Sequence, residues 1–203
     1  MARLLIYYAH PGHQHSRVNK EMAKIAELNS HVTFCDLYKQ YPRSQIDIDA
    51  EQKKLLDHDV IIFQHPLFWY STPSLIKEWI DLVLEHGFAF GEGGHHLSGK
   101  IMMNVISAAG SEGAYTNDGY QHYPLRTFLT PIEQTARLCH MQYSAPYVLY
   151  SALDANESGR IEGHIKGYQD LMNAIGQDRF NFSKAINEDV LDAESIQQLI
   201  GNE

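Results

Sequence analysis

The stretch YYAHPGHQHSRVNKEM, residues 7–22, decides the fold, because it leads from an apolar strand through a short polar turn into a helix. The run that begins before it, residues 4–9, is almost entirely apolar, as is typical of a strand covered on both faces of a sheet. Ser16 is the expected N-cap of the helix. Apolar residues then recur at helical spacing and predict one buried stripe: Val18, Met22, Ile25 and Leu28.

The same strand-and-helix unit recurs along the chain. Four further apolar runs predict strands at 31–37, 60–64, 101–108 and 147–152. The clearest helix lies within STPSLIKEWIDLVLEHGF, residues 71–88, where Pro73 or Ser74 begins it and Gly87 ends it. The side chains that we expect to face inward from this helix are Leu75, Trp79, Leu82 and Val83.

With weaker helical patterns at 125–139 and 164–175, strand and helix alternate five times in one domain. This alternation predicts an α/β fold over residues 1–176, with five parallel strands in the doubly wound order 2-1-3-4-5 and helices on both faces. Ligands of such sheets bind beyond the carboxyl ends of the strands. Residues 177–203 are acidic, and we expect a helical C-terminal extension, either on the surface or reaching a partner subunit. Its weak apolar side is Ile186, Val190 and Leu191.

Composition narrows the class of protein. Sixteen basic and 25 acidic residues among 203 give a formal charge of -9, which disfavours nucleic acid as a partner. No apolar run is long enough to cross a bilayer, and residues 3–6 are too short for a signal-peptide core, so we expect a cytoplasmic protein. Cys35 and Cys139 stand far apart without a CxxC, which indicates two small buried hydrophobes rather than a disulfide framework.

The polar turn after the first predicted strand is the first candidate site. Unpaired N–H groups and the helix dipole can bind a phosphate there, with Ser16 adding a hydroxyl and His10 a donor or a positive charge. The alternative is a capped helix with exposed histidines, which we prefer for His13 and His15. A zinc site of His10, His13 and His15 is a weaker alternative, because the turn offers no cysteine or carboxylate.

Two more polar or aromatic loops follow the third and fourth strands. HPLFWY, residues 65–70, places three consecutive aromatic residues where a flat conjugated ring could lie, although core packing is the alternative. SAAGSEGAY, residues 107–115, has glycines that allow close approach to a ligand. GEGGHH, residues 91–96, only imitates GxGxxG, since a helix precedes it, and indicates a flexible loop. The three loops after strands together favour flavin mononucleotide (FMN) and predict no metal site.

Four blocks in order carry a resemblance: YAHPGHQHSRVNK, LYKQYPRSQIDIDAEQ, IIFQHPLFWYSTPSLIKEWIDLVLEHGFAFGEGG and PIEQTARLCHM. Over residues 1–175 the chain resembles the flavodoxin-like NAD(P)H:quinone oxidoreductases, and within them the ancillary subunits of glutathione-gated potassium efflux systems. The resemblance implies FMN, with FAD as an alternative, and two-electron hydride transfer from NAD(P)H to a quinone. It also implies a homodimer with the active site across its interface. A membrane potassium efflux protein is an implied partner, which the chain would activate from a peripheral position on the inner face of the cell membrane.

The resemblance also implies roles for individual residues. The predicted cofactor-binding residues are His10, Ser16, Arg17, Val18 and Asn19 at the phosphate, Pro66, Leu67, Phe68, Trp69 and Tyr70 along the isoalloxazine, and Ser107, Ala108, Ala109 and Gly110 in the ring loop. The predicted catalytic residues are Tyr115 and His122. The chain departs from the family pattern, because Gln121 stands where the usual histidine would be and Ala109 replaces one of two glycines.

Two alternative functions remain open. In the first, the protein is a regulatory subunit whose flavin is structural or sensory and whose reductase activity is incidental. In the second, it is a one-electron flavodoxin, although HPGHQHSRVN is unlike the Ser/Thr/Gly-rich phosphate loop that we expect of one. In the homodimer that the resemblance implies, Tyr115, Tyr120 and the loop near Gly91 could serve a neighbouring subunit.

Overall fold

A computed structural model describes residues 1–155 and 159–201. In these ranges one sheet contains the strands β1 Leu4–Tyr8, β2 Val32–Asp36, β3 Val60–Pro66, β4 Ile101–Ser107, β5 Gln142–Tyr143 and β6 Tyr147–Leu149. All pairs are parallel, in the order β2-β1-β3-β4-β5, and β6 also pairs with β4. This order confirms the predicted doubly wound fold.

The helices cover both faces of the sheet. They are α1 Val18–Leu28, α2 Leu37–Gln40, α3 Ile48–Asp57, α4 Ser74–Val83, α5 Thr130–Leu138, α6 Arg160–Gly176, α7 Phe182–Ala185 and α8 Ala193–Leu199. On one face α1, α6 and α8 share a core cluster with Leu4 and Ile6 of β1, and on the other α3, α4 and α5 share one with Leu5 and Tyr7. Every residue of β1 is therefore buried, which explains its continuous apolar run.

The last predicted strand differs from the structure. Instead of one strand at 147–152, two short pieces, β5 and β6, both pair with β4. Pro146 separates them, since it has no N–H to donate to the ladder. Residues 150–155 then leave the sheet as a loop.

Three details of the predicted helices are wrong. Arg17 rather than Ser16 occupies the N-cap of α1, and within residues 1–155 and 159–201 no side chain caps this helix. Ser16 is extended, and its N–H donates to the His13 carbonyl. Leu28, the last residue of α1, is 77% exposed. The helix α4 ends at Val83 rather than at Gly87, because Leu84 already leaves helical geometry.

The inward face of α4 also differs by one residue. Its buried positions centre on Leu75, Ile76, Trp79, Ile80 and Val83. Leu82 lies at the edge of this stripe and is 38% exposed. In the loop after α4 the chain approaches itself closely, since a Cβ on Gly94 would lie 2.0 Å from the Phe90 carbonyl oxygen.

The C-terminal segment packs on the same face as α6. Leu191 is fully buried, its N–H donates to the Pro146 carbonyl, and its own carbonyl accepts from the N–H of Val148 in β6. The helix α8 lies against α6 where Gly167 leaves room for Ala193. Residues 202–203 of the predicted extension, and 156–158, lie outside the described residues.

A buried carboxylate joins three helices on the opposite face. Glu51 of α3 is fully buried and accepts hydrogen bonds from the Tyr41 hydroxyl (2.6 Å), the Lys54 ammonium (2.6 Å) and the Trp79 indole N–H (3.1 Å). Desolvation acts to raise the pKa of Glu51, but the bonds from Lys54 and Tyr41 outweigh it and the pKa is lowered. The side chain is therefore ionised near neutral pH.

Both cysteines are free and buried, as expected, and burial raises the pKa of each thiol, to about 11 for Cys139. Within residues 1–155 and 159–201, no helix is both long and apolar enough to cross a membrane. Among the same residues, no three histidine, cysteine, aspartate or glutamate side chains are grouped as metal ligands.

Candidate functional site

The turns after β1, β3 and β4 meet around a cavity of about 550 Å³. Ten predicted cofactor-binding residues line it: His10, Ser16, Arg17, Val18, Asn19, Pro66, Leu67, Phe68, Ser107 and Ala109. Four further residues that the sequence did not single out as ligands line it as well: Gly12, His15, Ala152 and Leu153. The walls are mostly apolar with a few polar groups, which is typical of a cofactor site.

A larger groove of about 900 Å³ lies on the other side of the His10 to His15 turn, along α1 and the end of β2. It shares His10, Gly12 and His15 with the cavity, but its walls carry exposed charges of both signs, including Lys20 and Glu27. A flat conjugated ligand needs apolar walls, so the smaller cavity is the better candidate site.

The start of α1 forms the polar end of the cavity. Because no side chain among the described residues caps this helix, its first N–H groups are available to a ligand, and the helix dipole adds positive potential. The exposed Arg17 side chain adds a formal positive charge at the same place. An uncapped helix start beside a hydroxyl, that of Ser16, and a cation is a favourable site for a phosphate.

His10 lies at the end of β1 and is 9% exposed, and its Nδ1 is buried without a hydrogen-bond partner among the described residues. Burial first, and then the charge of His13, lower the pKa of His10. The imidazole is therefore neutral near pH 7 and offers a donor or an acceptor rather than a positive charge. His13 is held elsewhere, with its Nδ1 2.7 Å from the Tyr8 hydroxyl oxygen.

Asn19 is a structural link rather than a free ligand. Its Nδ2 donates to the Ser107 Oγ at 2.6 Å, so the side chain ties α1 to β4. Its carbonyl accepts from the Gln64 amide at 3.2 Å, and the Tyr168 hydroxyl donates to the other end of Gln64 at 2.9 Å. Asn19 keeps its Oδ1 and its backbone N–H for a ligand, and the Ser107 hydroxyl keeps a proton to donate.

The aromatic run forms a tight turn. Phe68 and Ser71 exchange two backbone hydrogen bonds of 3.0 Å, and the residues between them, Trp69 and Tyr70, have φ angles of 47° and 63°. Positive φ at both central positions is the geometry that normally demands Asn-Gly, so a Trp-Tyr pair stores strain at this point. Among the described residues the N–H groups of Trp69 and Tyr70 have no acceptor.

Exposure separates the aromatic residues by role. Trp69 is 92% exposed, so core packing does not explain it, while Phe68 lines the cavity and is 42% exposed. Tyr70 packs on Phe128, with ring centroids 5.0 Å apart. Of the residues 66–70 that are predicted to lie along the isoalloxazine, only Pro66, Leu67 and Phe68 line the cavity of the single chain.

We expect the double variant Trp69→Asn with Tyr70→Gly to be more stable by about 1–2 kcal/mol than Trp69→Ala with Tyr70→Ala, because both lose the Tyr70–Phe128 contact but only Asn-Gly adopts this turn without strain. For a chain of this length the melting temperature of the Asn-Gly variant would be higher by roughly 2–8 °C. Differential scanning calorimetry measures the difference. The control Trp69→Phe with Tyr70→Phe keeps the strained geometry and should show no rise over the parent. An Asn-Gly variant that melts no higher than the Ala-Ala variant would contradict the strain.

The predicted catalytic residues lie outside the cavity lining of the single chain. Tyr115 is 8% exposed and its ring lies against Gly110, where a Cβ would be 2.9 Å from the tyrosine Cε2. Burial raises the pKa of Tyr115, so its hydroxyl stays protonated. His122 is exposed, with a φ of 63°. Trp69, Tyr70, Ala108 and Gly110 border the cavity loops without lining it.

A family model described as "Flavodoxin-like fold" matches residues 2–172. The glutathione-regulated potassium-efflux system ancillary protein KefG of Serratia proteamaculans is 45% identical over 170 residues, which cover 84% of this chain and 92% of that protein. The general stress protein 14 of Treponema denticola, solved with FMN, matches at 30% identity and a TM-score of 0.80, covering 85% and 99% of the two chains.

The names of two further solved structures refer to different reactions. An NADPH-quinone reductase from P. pentosaceus matches at 28% identity and a TM-score of 0.72, covering 83% of this chain and 96% of that one. A chain described as a thermophilic tryptophan halogenase from Streptomycin violaceusniger matches at 39% identity and a TM-score of 0.78, covering 82% and 96%. Shared fold therefore does not by itself fix the reaction.

Proposed function

The chain belongs to the flavodoxin-like family, and from this premise we propose that it is an FMN-dependent NAD(P)H:quinone oxidoreductase. The observation that carries the proposal is the uncapped start of α1, which opens into the same cavity as the apolar side chains of Leu67 and Phe68. One end of the cavity suits a phosphate and the other suits a flat ring. FMN combines these two features, and a structural neighbour from Treponema denticola was solved with FMN.

The residues present fit this cofactor. The N–H groups at the start of α1, the Ser16 hydroxyl and Arg17 would hold the phosphate. Leu67, Phe68 and Ala109 would contact the ring. The unpaired N–H groups of Trp69 and Tyr70 would donate to its polar edge.

When bound, the flavin would supply two-electron hydride transfer between a nicotinamide and a quinone. The chain's own residues would orient the ring, exclude water from one face through Leu67 and Phe68, and stabilise negative charge through backbone N–H groups. His10, neutral and buried, would donate a hydrogen bond without adding charge. Tyr115 and His122 stay predicted catalytic residues.

A second copy of the chain would complete the site. Trp69, Tyr120 and Tyr123 are 92%, 69% and 55% exposed, and all three belong to loops at the cavity edge of the sheet. Large exposed aromatic side chains of this kind are typical of an interface. The proposal therefore includes a homodimer in which Tyr115, His122 or the loop near Gly91 serves the cavity of the partner copy.

The similarity to an ancillary protein of a potassium-efflux system favours a second role. In this role the chain would bind a membrane potassium efflux protein from the cytoplasmic side and regulate it. Quinone reduction would then be a further activity of the same chain. A regulatory subunit with incidental reductase activity is the alternative. The two readings separate on Tyr115→Phe: loss of quinone turnover with it supports the reductase, whereas efflux activation that survives unchanged supports the regulatory subunit.

We expect the visible absorption of the FMN-loaded protein to bleach within a single anaerobic addition of NADPH or NADH, and to return when a quinone is added. Stopped-flow spectroscopy follows both steps, and free FMN at the same concentration is the control. If the flavin binds but bleaches with neither nicotinamide, the protein is a regulatory subunit rather than an oxidoreductase. Absence of flavin binding would overturn the site itself.

A further inference from the structure

Three buried polar side chains lie in a row behind the cavity wall. His65 at the end of β3 and Asn104 of β4 are fully buried, and Tyr143 of β5 is 5% exposed. The Tyr143 hydroxyl donates to the Asn104 Oδ1 at 2.8 Å, and the Asn104 Nδ2 lies 2.9 Å from the His65 Nε2. At the other end, the His65 Nδ1 lies 3.0 Å from the carbonyl oxygen of Pro66.

The Pro66 carbonyl determines the direction of every bond in this row. A carbonyl oxygen only accepts, so the His65 Nδ1 must carry the proton and donate it. Burial lowers the pKa of His65 to about 4, so the ring is neutral and its Nε2 has no proton. The Nε2 therefore accepts from the Asn104 amide, and this orients the Asn104 oxygen toward Tyr143. Each donor finds one acceptor, and no alternative arrangement satisfies all three side chains.

The bond to Pro66 fixes one peptide of the cavity wall. Its carbonyl is held by His65, and the N–H of the same peptide, which belongs to Leu67, donates to the Ser107 carbonyl at 2.9 Å. Pro66, Leu67 and Ser107 all line the cavity. The peptide is held at both ends and cannot rotate, and the strained turn with the unpaired N–H groups of Trp69 and Tyr70 begins one residue later.

We propose that His65, Asn104 and Tyr143 form a positioning relay that holds the Pro66–Leu67 peptide, and thereby sets the reduction potential of the bound flavin. The proposal rests on the proposed function, because it concerns the same cavity. Fixed N–H donors stabilise the negative charge of a reduced ring more than they stabilise the neutral oxidised ring. A loosened peptide would misplace these donors, so breaking the relay should make the potential more negative.

The relay is enclosed from outside. The Arg126 guanidinium lies 5.8 Å from the centroid of the Tyr143 ring and 3.3 Å from the Glu133 carboxylate. Arg126 also donates to the carbonyl of Glu188 in the C-terminal segment. Tyr143 is thus covered by α5 and by the segment before α8. It is the member of the row that lies farthest from the cavity. Removing its hydroxyl therefore tests the relay without changing a residue of the cavity wall.

The first test compares the midpoint potential of FMN bound to the parent protein and to four variants, by equilibration with a reference dye. Tyr143→Phe and His65→Leu should lower the ratio of reduced to oxidised flavin at a fixed potential by about tenfold, which is about 30 mV for a two-electron couple. His65→Asn should stay within twofold of the parent, because its amide can still donate to Pro66. The control Tyr147→Phe removes a buried hydroxyl that donates to the His164 carbonyl at 2.7 Å and should also leave the ratio unchanged.

The outcomes separate this inference from the proposed function. If FMN binds and all variants keep the parent ratio, the relay is overturned and the cofactor site stands. If Tyr147→Phe shifts the ratio as much as Tyr143→Phe, the effect is general loss of packing and the relay is again overturned. If the parent binds no FMN, both proposals fall.

A second measurement needs no flavin. Nitrogen-15 NMR of histidine-labelled apoprotein, with His65 assigned by difference from His65→Asn, should show the Nδ1–H tautomer at pH 7. Tyr143→Phe should shift this signal, since Asn104 loses its orienting donor. A His65 ring protonated at Nε2 alone would overturn the relay whatever the flavin does.

Discussion

Ser16→Asp is expected to weaken FMN binding by about 100-fold while leaving the fold at least as stable as the parent. The start of α1 has no capping side chain, and Ser16 lies one residue before its N-cap. A carboxylate there would oppose the phosphate: two unit charges about 6 Å apart at an effective dielectric of about 20 repel by about 2.8 kcal/mol, which is about 100-fold in affinity. The same carboxylate is favourable to the helix dipole, so stability should not fall.

Two controls isolate the phosphate. Ser16→Asn has the size of aspartate without its charge and should bind FMN within about fivefold of the parent. Riboflavin lacks the phosphate, so its affinity should be nearly the same for the parent and for Ser16→Asp. Isothermal titration calorimetry gives the five dissociation constants, three for FMN and two for riboflavin. Equal loss of FMN and riboflavin would mean that the phosphate does not bind at α1.

Glu51→Gln is expected to cost about 3–5 kcal/mol of unfolding free energy at pH 7, because it breaks a buried charged network by changing one member. Four donors converge on the Glu51 carboxylate, from Gln40, Tyr41, Lys54 and Trp79. Glutamine has the same shape, but its NH2 group would replace one acceptor oxygen and would face the hydrogen-bond donors. The charge of Lys54 would also lose its counter-charge. Urea unfolding measures the difference.

The pH dependence of this cost has a definite sign. Since the pKa of Glu51 is lowered in the folded state, its contribution is fully present above the unfolded value of about 4.3 and is lost as the pH falls through the folded pKa. The difference in unfolding free energy between the parent and Glu51→Gln should therefore shrink below about pH 4. Glu78→Gln, at an exposed position on α4, should stay within about 0.5 kcal/mol of the parent at every pH. A gap that persists unchanged in acid would contradict the network.

The sheet order could be predicted because burial on both faces leaves continuous apolar runs in the sequence. The position of the polar turn at one end of the cavity could be predicted for the same reason, since residues 10–19 follow such a run, while its binding of a phosphate stays a prediction. Ser16 shows the limit of local patterns: a serine before a helix is a good N-cap, yet here the chain enters the helix one residue later, in a turn shaped by His13. The absent cap is what leaves the site open to a ligand.

Other parts of the site had no signal in the sequence. Ala152 and Leu153 line the cavity because the last strand stops at Leu149, whereas their apolar character extended the predicted strand to residue 152. His65 has no periodic signature, and its role depends on Asn104 and Tyr143, which are 39 residues or more away in the chain. Partners this distant are brought together only by the register of the strands. The roles of Tyr115 and His122 stay predictions.

The pairing of Leu191 with β6 has a consequence for biosynthesis. The segment that follows α6 supplies Leu191, the backbone partner of Val148. The same segment supplies α8, which covers α6. A nascent chain that has emerged from the ribosome only as far as α6 would already contain every cavity-lining residue, but it would lack this partner and cover. Emergence of the segment from Leu191 through α8, rather than completion of the cavity sequence, would then be the step that protects the growing chain from aggregation.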